Sequence, residues 1–131
     1  MAALIYLDTH VVAWLYAAGS RGLPEAVTGV LEETKDLRIS PMVRLELQYL
    51  YEIGRVADPA LPVVDTMEAS LGVTICSAPF PAIIKEAEGL QWTRDPFDRL
   101  IVAHAGLFDA TLLTKDSEIH RYYPKAVWER E

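Results

Sequence analysis

Cysteine is almost absent from this 131-residue sequence, which contains only Cys76. One thiol cannot form a disulfide bond within the chain, so nothing favours an oxidising compartment. The chain also lacks an apolar run near the roughly 20 residues that a membrane-spanning helix needs, and its first residues lack the basic lead of a signal peptide. We therefore expect a cytoplasmic protein without a membrane partner, in which Cys76 is a small buried hydrophobe.

Basic residues are outnumbered, because 12 Lys and Arg stand against 19 Asp and Glu and give a formal net charge of −7. Nucleic-acid-binding domains usually carry a basic surface. The acidic balance is compatible with nucleic acid where acids surround a bound cation, since the cation inverts the local field. Repeats and low-complexity tracts are absent too. With half of the residues apolar, the sequence predicts a single domain over residues 1–131.

Short apolar runs alternate along the chain with segments of helical periodicity. The runs that predict strands are 2–7, 37–40, 73–76, 110–114 and 126–128. The segments that predict helices are 9–18, 24–34, 41–54, 62–71, 80–90 and 95–107. This alternation predicts an α/β fold with a mostly parallel sheet, and the continuous apolar strands indicate a sheet covered on both faces. Ligands of such sheets bind outside the carboxyl ends of the strands.

Four acidic residues map to that edge of the predicted sheet. They come from separate parts of the chain: Asp8, Glu46, Asp98 and Asp116. Asp8 directly follows the first predicted strand, and Asp116 follows the strand at 110–114 by two residues. Either of these two can also be explained as a helix cap or a turn residue, which requires no ligand.

Glu46 is the more informative acid. On the predicted helix 41–54 it lies among Met42, Leu50 and Ile53, so it faces inward from an apolar stripe. A carboxylate in that position is costly unless a cation or hydrogen bonds compensate it. The alternatives are a metal ligand and a buried pair with an arginine from elsewhere in the chain.

Asp98 belongs to the segment Asp95-Pro96-Phe97-Asp98 at the start of a predicted helix. Asp95 is the expected N-cap and Pro96 the first helical residue. An acid at the third helical position also complements the helix dipole, so capping can explain either acid. Two acids nevertheless allow Asp95 to cap the helix while Asp98 binds a metal.

Together, four carboxylates without a His or Cys cluster predict an oxygen-only metal site, which suits Mg²⁺ or Mn²⁺ and not Zn²⁺. Such a site, with one ion or two, can activate water and stabilise the oxyanions of phosphodiester hydrolysis. Three cationic residues flank the acids and are candidates either for holding RNA phosphates or for pairing with the acids: Arg94, Arg99 and Lys115.

The aromatic residues and histidines favour simpler interpretations. We expect His10 to serve packing or the surface, although a general-base role is open. We expect Trp14, Trp92 and Trp128 to belong to the core and not to a base-stacking platform.

At the four acids the sequence resembles the PIN-domain ribonucleases, specifically the VapC-type toxins of bacterial and archaeal toxin–antitoxin pairs. The resemblance spans essentially the whole chain, and its segments occur in the family's order: 5–10, 40–47, 94–103 and 113–116. The Asp-Pro-Phe-Asp-Arg sequence followed by an apolar helix is the most specific of them.

The resemblance implies a PIN-like three-layer α/β/α fold and an endoribonuclease that depends on Mg²⁺ or Mn²⁺. The four acids would occupy the family's acidic positions, as catalytic residues and as metal ligands. Thr9 and Thr114 match hydroxyl positions near the metal, and we assign Asp95 a structural role. The implied partners are a structured RNA such as tRNA or ribosomal RNA, a VapB-like antitoxin and a second copy of the chain in a homodimer.

Three other functions deserve comparison. A phosphatase with an aspartate nucleophile would need a second acid two residues after Asp8, where this chain has His10. A receiver-type phosphoacceptor would need an aspartate after the strand at 73–76, where Ser77 stands. A catalytically silent PIN-like module that binds protein or RNA remains the main alternative, although all four acids are present.

Overall fold

The structure is a computed structural model that describes residues 4–129, so positions 2 and 3 of the first predicted strand lie outside the described residues. The strands are β1 (Leu4–Leu7), β2 (Asp36–Ile39), β3 (Thr74–Ile75), β4 (Thr111–Leu113) and β5 (Ala126–Val127). The α-helices are α1 (Thr9–Ala18), α2 (Glu25–Glu33), α3 (Pro41–Glu52), α4 (Ala60–Leu71), α5 (Phe80–Glu88), α6 (Pro96–Leu107) and α7 (Ser117–Tyr122). A 3₁₀-helix over Gly19–Gly22 connects α1 to α2.

The five strands form one parallel sheet in the order β3-β2-β1-β4-β5. In the central strand, Ile5 pairs with Leu37 of β2 on one side and with Thr111 of β4 on the other. Residues Ile5, Tyr6 and Leu7 are all buried, which requires packing on both faces of the sheet. Helices flank both faces, and the α/β/α fold expected from the sequence is confirmed.

The strand order reverses direction between β1 and β4. β2 and then β3 lie on one side of β1, and β4 and then β5 lie on its other side. In an open parallel sheet, such a switch point creates a crevice at the carboxyl ends of the two strands. The backbone N–H of Asp8 donates to the carbonyl of Leu113 at 3.0 Å and holds the two strand ends together.

Helix α3 begins as the sequence predicts but buries a different stripe. Ser40 caps its N-terminus by accepting a hydrogen bond from the backbone N–H of Met42 at 3.0 Å. Its fully buried residues are Val43 and Leu47, whereas Ile53 is 48% exposed at its C-terminal end. The prediction that Glu46 faces inward among Met42, Leu50 and Ile53 was therefore wrong for Ile53, whereas Met42 and Leu50 are half-buried like Glu46 itself.

Two short elements were not predicted from the sequence. The 3₁₀-helix and α7 have four and six residues, too few to show a helical period. Helix α4 begins two residues earlier than the predicted Pro62, and β3 is reduced to two residues. No helix within residues 4–129 has the length and apolar character needed to cross a membrane.

Candidate functional site

Asp8 directly follows β1 at the switch point, and the residue is only 3% exposed. Its Oδ1 accepts a hydrogen bond from the backbone N–H of Thr9 at 2.8 Å, because Asp8 is the N-cap of α1. Its Oδ2 accepts a hydrogen bond from the Thr114 hydroxyl at 2.6 Å. The capping explanation of Asp8 is thus correct for one oxygen, while the second oxygen is directed toward the end of β4.

Thr114 connects Asp8 to Asp116. While its Oγ1 donates to Asp8, the same atom accepts a hydrogen bond from the backbone N–H of Asp116 at 3.0 Å. Oδ1 of Asp116 caps α7 by accepting from the N–H groups of Glu118 and Ile119 at 2.9 and 3.0 Å. Among the described residues no hydrogen bond uses Oδ2 of Asp116, so this acid can cap a helix and still offer an oxygen to the crevice.

Glu46 reaches the same crevice from α3. Its Oε1 accepts a hydrogen bond from the Thr9 hydroxyl at 2.5 Å. Burial raises the pKa of Glu46, and the nearby charges of Asp8 and Asp95 raise it further, while the Thr9 hydrogen bond opposes them. No arginine of residues 4–129 forms an ion pair with it. The buried Arg–Glu pair left open by the sequence is therefore not found.

Asp98 approaches from the first turn of α6. Asp95 caps that helix, with Oδ1 accepting from the N–H of Phe97 at 2.9 Å and of Asp98 at 3.4 Å, so the expected structural role of Asp95 is present. Burial is the main cause that raises the pKa of Asp98 to about 7. The charges of Asp8, Asp95, Asp116 and Glu46 add to it. The negative charges of the other four acids at this edge of the sheet therefore disfavour ionisation of Asp98.

A buried contact joins the two helices that carry Glu46 and Asp98. The hydroxyl of Ser40, which caps α3, lies 2.9 Å from Nδ1 of His104 on α6. Nδ1 of His104 is also 2.9 Å from the carbonyl oxygen of Leu100, and burial lowers the pKa of His104. The sequence suggested no role for His104, because a single histidine on an apolar helix has no ligand spacing.

The donor set fits a hard divalent cation in its chemistry. All candidate ligands are oxygens. Burial mainly raises the pKa of Glu46 and Asp98, and neighbouring carboxylates, whose charge a cation would offset, raise it further. As the side chains stand, no three His, Cys, Asp or Glu residues between positions 4 and 129 are gathered closely enough to hold a metal ion. Several of these oxygens instead hydrogen-bond to Thr9, Thr114 and the α7 backbone. Cation binding would thus require the carboxylates to approach one another more closely.

The three cationic candidates are placed differently. Arg99 donates to the carbonyls of Ala87, Thr93 and Glu88 at 2.8, 3.5 and 3.4 Å. These bonds hold the C-terminal end of α5, and they do not favour a phosphate contact. Arg94 is exposed and donates to the carbonyl of Gln91 at 2.8 Å. Lys115, between Thr114 and Asp116, is exposed, and its Nζ lies 5.4 Å from the centroid of the Trp14 ring.

His10 is packed and not free to act as a base. Its Nε2 accepts a hydrogen bond from the backbone N–H of Lys115 at 2.8 Å, and its Nδ1 lies 3.6 Å from Oδ2 of Asp8. Burial lowers its pKa despite the charges of Asp8 and Asp116. Because the lone pair of Nε2 is already engaged, the packing interpretation of His10 is supported.

The tryptophans divide between core and surface. Trp128 is 8% exposed and belongs to the core, as expected. Trp92 is partly buried and stacks on Tyr122 with ring centroids 5.1 Å apart. Trp14 is 38% exposed, so its assignment to the core was wrong. It lies on the outer face of α1, where only a side-chain neighbour such as His10 or Trp128 can shield it.

Solved structures share this fold at low sequence identity. A VapBC complex from Salmonella typhimurium bound to DNA gives a TM-score of 0.66 at 21% identity, over 98% of both chains. VapBC2 from Rickettsia felis bound to a promoter DNA fragment gives 0.65 at 19% identity, over 98% of this chain and 99% of that chain. A toxin–antitoxin complex from Klebsiella pneumoniae gives 0.65 at 19% identity, over 94% and 95%.

Identity this low supports the fold only. No curated protein matches the sequence. The family model of the PIN domain, however, matches residues 5–125, which include all four candidate acids. The chain therefore belongs to the PIN domain family.

Proposed function

We propose that this protein is a metal-dependent endoribonuclease, with Asp8, Glu46, Asp98 and Asp116 as its metal ligands and catalytic residues. The observation that carries the proposal is the half-buried position of Glu46 and Asp98 beside Asp8, with no cationic side chain of residues 4–129 paired to either of them. Burial, with the charge of neighbouring carboxylates, raises the pKa of both acids, and acids in such surroundings are common at functional sites. The family match supports a nuclease in general.

The cofactor of the proposed reaction is Mg²⁺ or Mn²⁺, because oxygen-only donors suit these ions. When bound, the ion supplies Lewis-acid stabilisation of phosphodiester oxygens and lowers the pKa of water. The chain's own residues keep the carboxylates oriented: Thr9 holds Glu46, and Thr114 holds Asp8 and the backbone of Asp116. Such orienting partners typically change metal affinity or activity by about 10- to 100-fold when they are removed.

Asp95 takes part in this site through position and charge. It caps α6, which fixes the first turn that carries Asp98, and its charge raises the pKa of both Asp98 and Glu46. The backbone of Lys115 is fixed by His10, and its side chain is exposed next to Asp116. Lys115 and Arg94 are the two residues proposed to bind RNA phosphates. Arg99 is not included, since its donors are used by α5.

The biological role proposed is that of a toxin in a toxin–antitoxin pair, acting in the cytoplasm as a single-domain chain. The solved structures of the same fold include VapBC complexes, which supports a VapB-like antitoxin as partner. A structured RNA such as tRNA or ribosomal RNA is the proposed substrate, and a homodimer the proposed assembly. Each of these rests on the family and fold, whereas the hydrolytic chemistry rests also on the acids.

The test is cleavage of total cellular RNA by the purified protein with Mg²⁺, with Mn²⁺ and with EDTA. We expect cleavage with either ion and none with EDTA. The Asp98→Asn substitution should lower the cleavage rate by more than the roughly 10- to 100-fold expected when an orienting residue is removed. Asp65→Asn is the matched control, because Asp65 is an exposed acid on α4. It should cleave like the wild type.

Mapping of RNA 5′ ends after induced expression would then identify the substrate. The nuclease proposal is wrong if the wild type cuts no RNA with either ion while Asp98→Asn is equally toxic on expression. That result would favour the catalytically silent binding module.

A further inference from the structure

Next to the acids, a second surface feature is assembled from α1, the 3₁₀-helix and the chain after β4. A cavity of about 530 Å³ is lined there by Trp14, Arg21, Lys115, Trp128 and Glu129, together with small and apolar residues of 17–24. It is continuous in sequence with the candidate site, because Lys115 directly precedes Asp116. Of its lining residues, Lys115 is the one already proposed above to contact RNA.

Its aromatic wall is organised around Trp14. The ring of Trp14 lies 5.6 Å from that of Trp128 and 5.2 Å from that of His10, both in tilted arrangements. His10 in turn lies 6.1 Å from Trp128, so the three rings brace one another. Trp128 and His10 are fixed by burial and by the Lys115 backbone, whereas Trp14 is 38% exposed. The result is a supported indole that remains open to solvent.

The charge of the cavity differs from that of the protein. Lys115 and Arg21 place two cations on its lining against one acid, Glu129, although the whole chain carries a net charge of −7. The Nζ atom of Lys115 lies 5.4 Å from the centroid of the Trp14 ring. Arg21 is exposed, and among residues 4–129 its one hydrogen bond runs from Nε to the carbonyl of Ala18 at 3.2 Å. Both cations can therefore reach a phosphate from the same rim.

An exposed indole with two cations beside it matches the chemistry of a single-stranded nucleotide. Bases stack on aromatic side chains irrespective of their identity, and the adjacent phosphates bind Lys and Arg. The contact between Lys115 and Trp14 does not prevent this. Lys115 is exposed and flexible, so a base can replace its ammonium over the ring while the ammonium moves to a phosphate.

From these observations we infer that the Trp14 cavity binds an unpaired nucleotide of the RNA substrate, with its base stacked on Trp14 and its phosphates held by Lys115 and Arg21. The inference rests on the proposed nuclease function, because it places this nucleotide beside the bond to be cut near Asp116. It predicts a preference for single-stranded or looped RNA at that position, since a paired base cannot stack on a side chain.

The test compares two fluorescein-labelled probes of equal length and charge, a short oligoadenylate and its abasic counterpart. Binding is measured by fluorescence anisotropy with Ca²⁺ in place of Mg²⁺, to slow cleavage during the titration. The wild type should bind the oligoadenylate more tightly than the abasic probe. Trp14→Ala should weaken oligoadenylate binding by about 5- to 150-fold, the range for one stacked base, and leave abasic binding unchanged.

Three further variants sharpen the test. Trp14→Phe retains a stacking ring and should keep most of the affinity. Lys115→Ala should weaken both probes equally and reduce the slope of log affinity against log salt by about 0.7, the value for one phosphate contact on a single strand. Phe108→Ala is the matched control, because Phe108 is 42% exposed and has the Arg38 guanidinium 5.7 Å from its ring centroid. Phe108 lies before the amino-terminal end of β4, whereas the candidate acids lie beyond the carboxyl ends of the strands. The Phe108→Ala variant should therefore bind both probes like the wild type.

The outcomes separate this inference from the nuclease proposal. If the wild type cuts cellular RNA but Trp14→Ala binds oligoadenylate normally, the cavity inference is overturned and the nuclease remains. If Trp14→Ala leaves RNA affinity unchanged and instead lowers the sedimenting mass of the protein, the cavity is a protein contact and the inference is equally overturned. If binding depends on Trp14 but no RNA is cut, the cavity stands and the nuclease proposal fails.

Discussion

Thr114 and Asp8 are 106 positions apart in sequence, and the hydroxyl of Thr114 donates to the buried carboxylate of Asp8 at 2.6 Å. The same hydroxyl accepts the backbone N–H of Asp116 at 3.0 Å. One side chain at the end of β4 thus orients an acid of β1 and the backbone of the acid that follows. This contact can form only because β1 and β4 are parallel neighbours at the switch point of the sheet.

Replacing Thr114 with Val tests this arrangement. The change keeps the shape but removes both hydrogen bonds and leaves an oxygen of buried Asp8 unpaired, so we expect a loss of about 1–3 kcal/mol in the free energy of unfolding. If the proposed site is correct, metal affinity or cleavage should also fall by about 10- to 100-fold. Urea unfolding and RNA cleavage measure the two effects. Thr111→Val, on the same strand, is the control and should change neither.

A second prediction concerns pH. In the folded chain the pKa of Asp98 is raised to about 7, against an ordinary value of about 4, so the folded state holds this proton more tightly than the unfolded state. The contribution of Asp98 to stability is therefore greatest below about pH 4, and it is lost as the pH rises toward about pH 7. In EDTA, the melting temperature of the wild type relative to Asp98→Asn should fall between about pH 4 and about pH 7.

Divalent metal should oppose that loss. Because a cation that binds only the folded state stabilises it, Mg²⁺ or Mn²⁺ should raise the melting temperature of the wild type above about pH 7. The rise should be much smaller for Asp98→Asn, and Asp65→Asn should behave like the wild type. A melting temperature that does not respond to either ion at any pH would count against a metal site at these acids.

The contact between Ser40 and His104 supports a third prediction. Ser40→Ala removes the N-cap of α3 and the hydroxyl beside Nδ1 of His104, so we expect a loss of about 1–2 kcal/mol in urea unfolding. Because this contact sets α3 against α6, cleavage should weaken while the protein remains folded. Ser70→Ala is the comparison, since the Ser70 hydroxyl is exposed and bonds only within its own helix at Thr66. If Ser40→Ala lowers the free energy of unfolding no more than Ser70→Ala does, the proposed role of the Ser40–His104 contact is refuted.

Helix starts were the most predictable feature of the fold, because caps are local. Asp95 caps the helix that begins at Pro96 as the sequence indicates, and α3 begins at the predicted Pro41. The buried stripe of α3 was not predictable, because it depends on which side the sheet and α6 approach. Trp14 shows the same limit, since its exposure depends on the 3₁₀-helix and on the chain after β4, which periodicity does not locate.

The candidate site could be predicted only as a set of acids. The positions of Asp8 and Asp116 after apolar runs place them at one edge of a parallel sheet, and Thr114 connects the two across the switch point. The partners of the acids could not be predicted, because the hydroxyls of Thr9 and Thr114 approach from distant segments. Nor does sequence show that the pKa of Asp98 is raised, since that shift requires burial and four other acids in space.

Asp95 offers a final test, because its two roles can be separated. Asn caps helices about as well as Asp, so Asp95→Asn should keep α6 stable and remove only the charge. Without that charge the pKa of Asp98 should fall, and the stability of this variant in EDTA should depend less on pH than that of the wild type. Cleavage should remain within a few-fold of the wild type if Asp95 is a positioning residue. Asp95→Ala should cost about 1 kcal/mol of stability through the lost cap. A loss of cleavage in Asp95→Asn as large as that in Asp98→Asn, with stability unchanged, would instead make Asp95 a ligand.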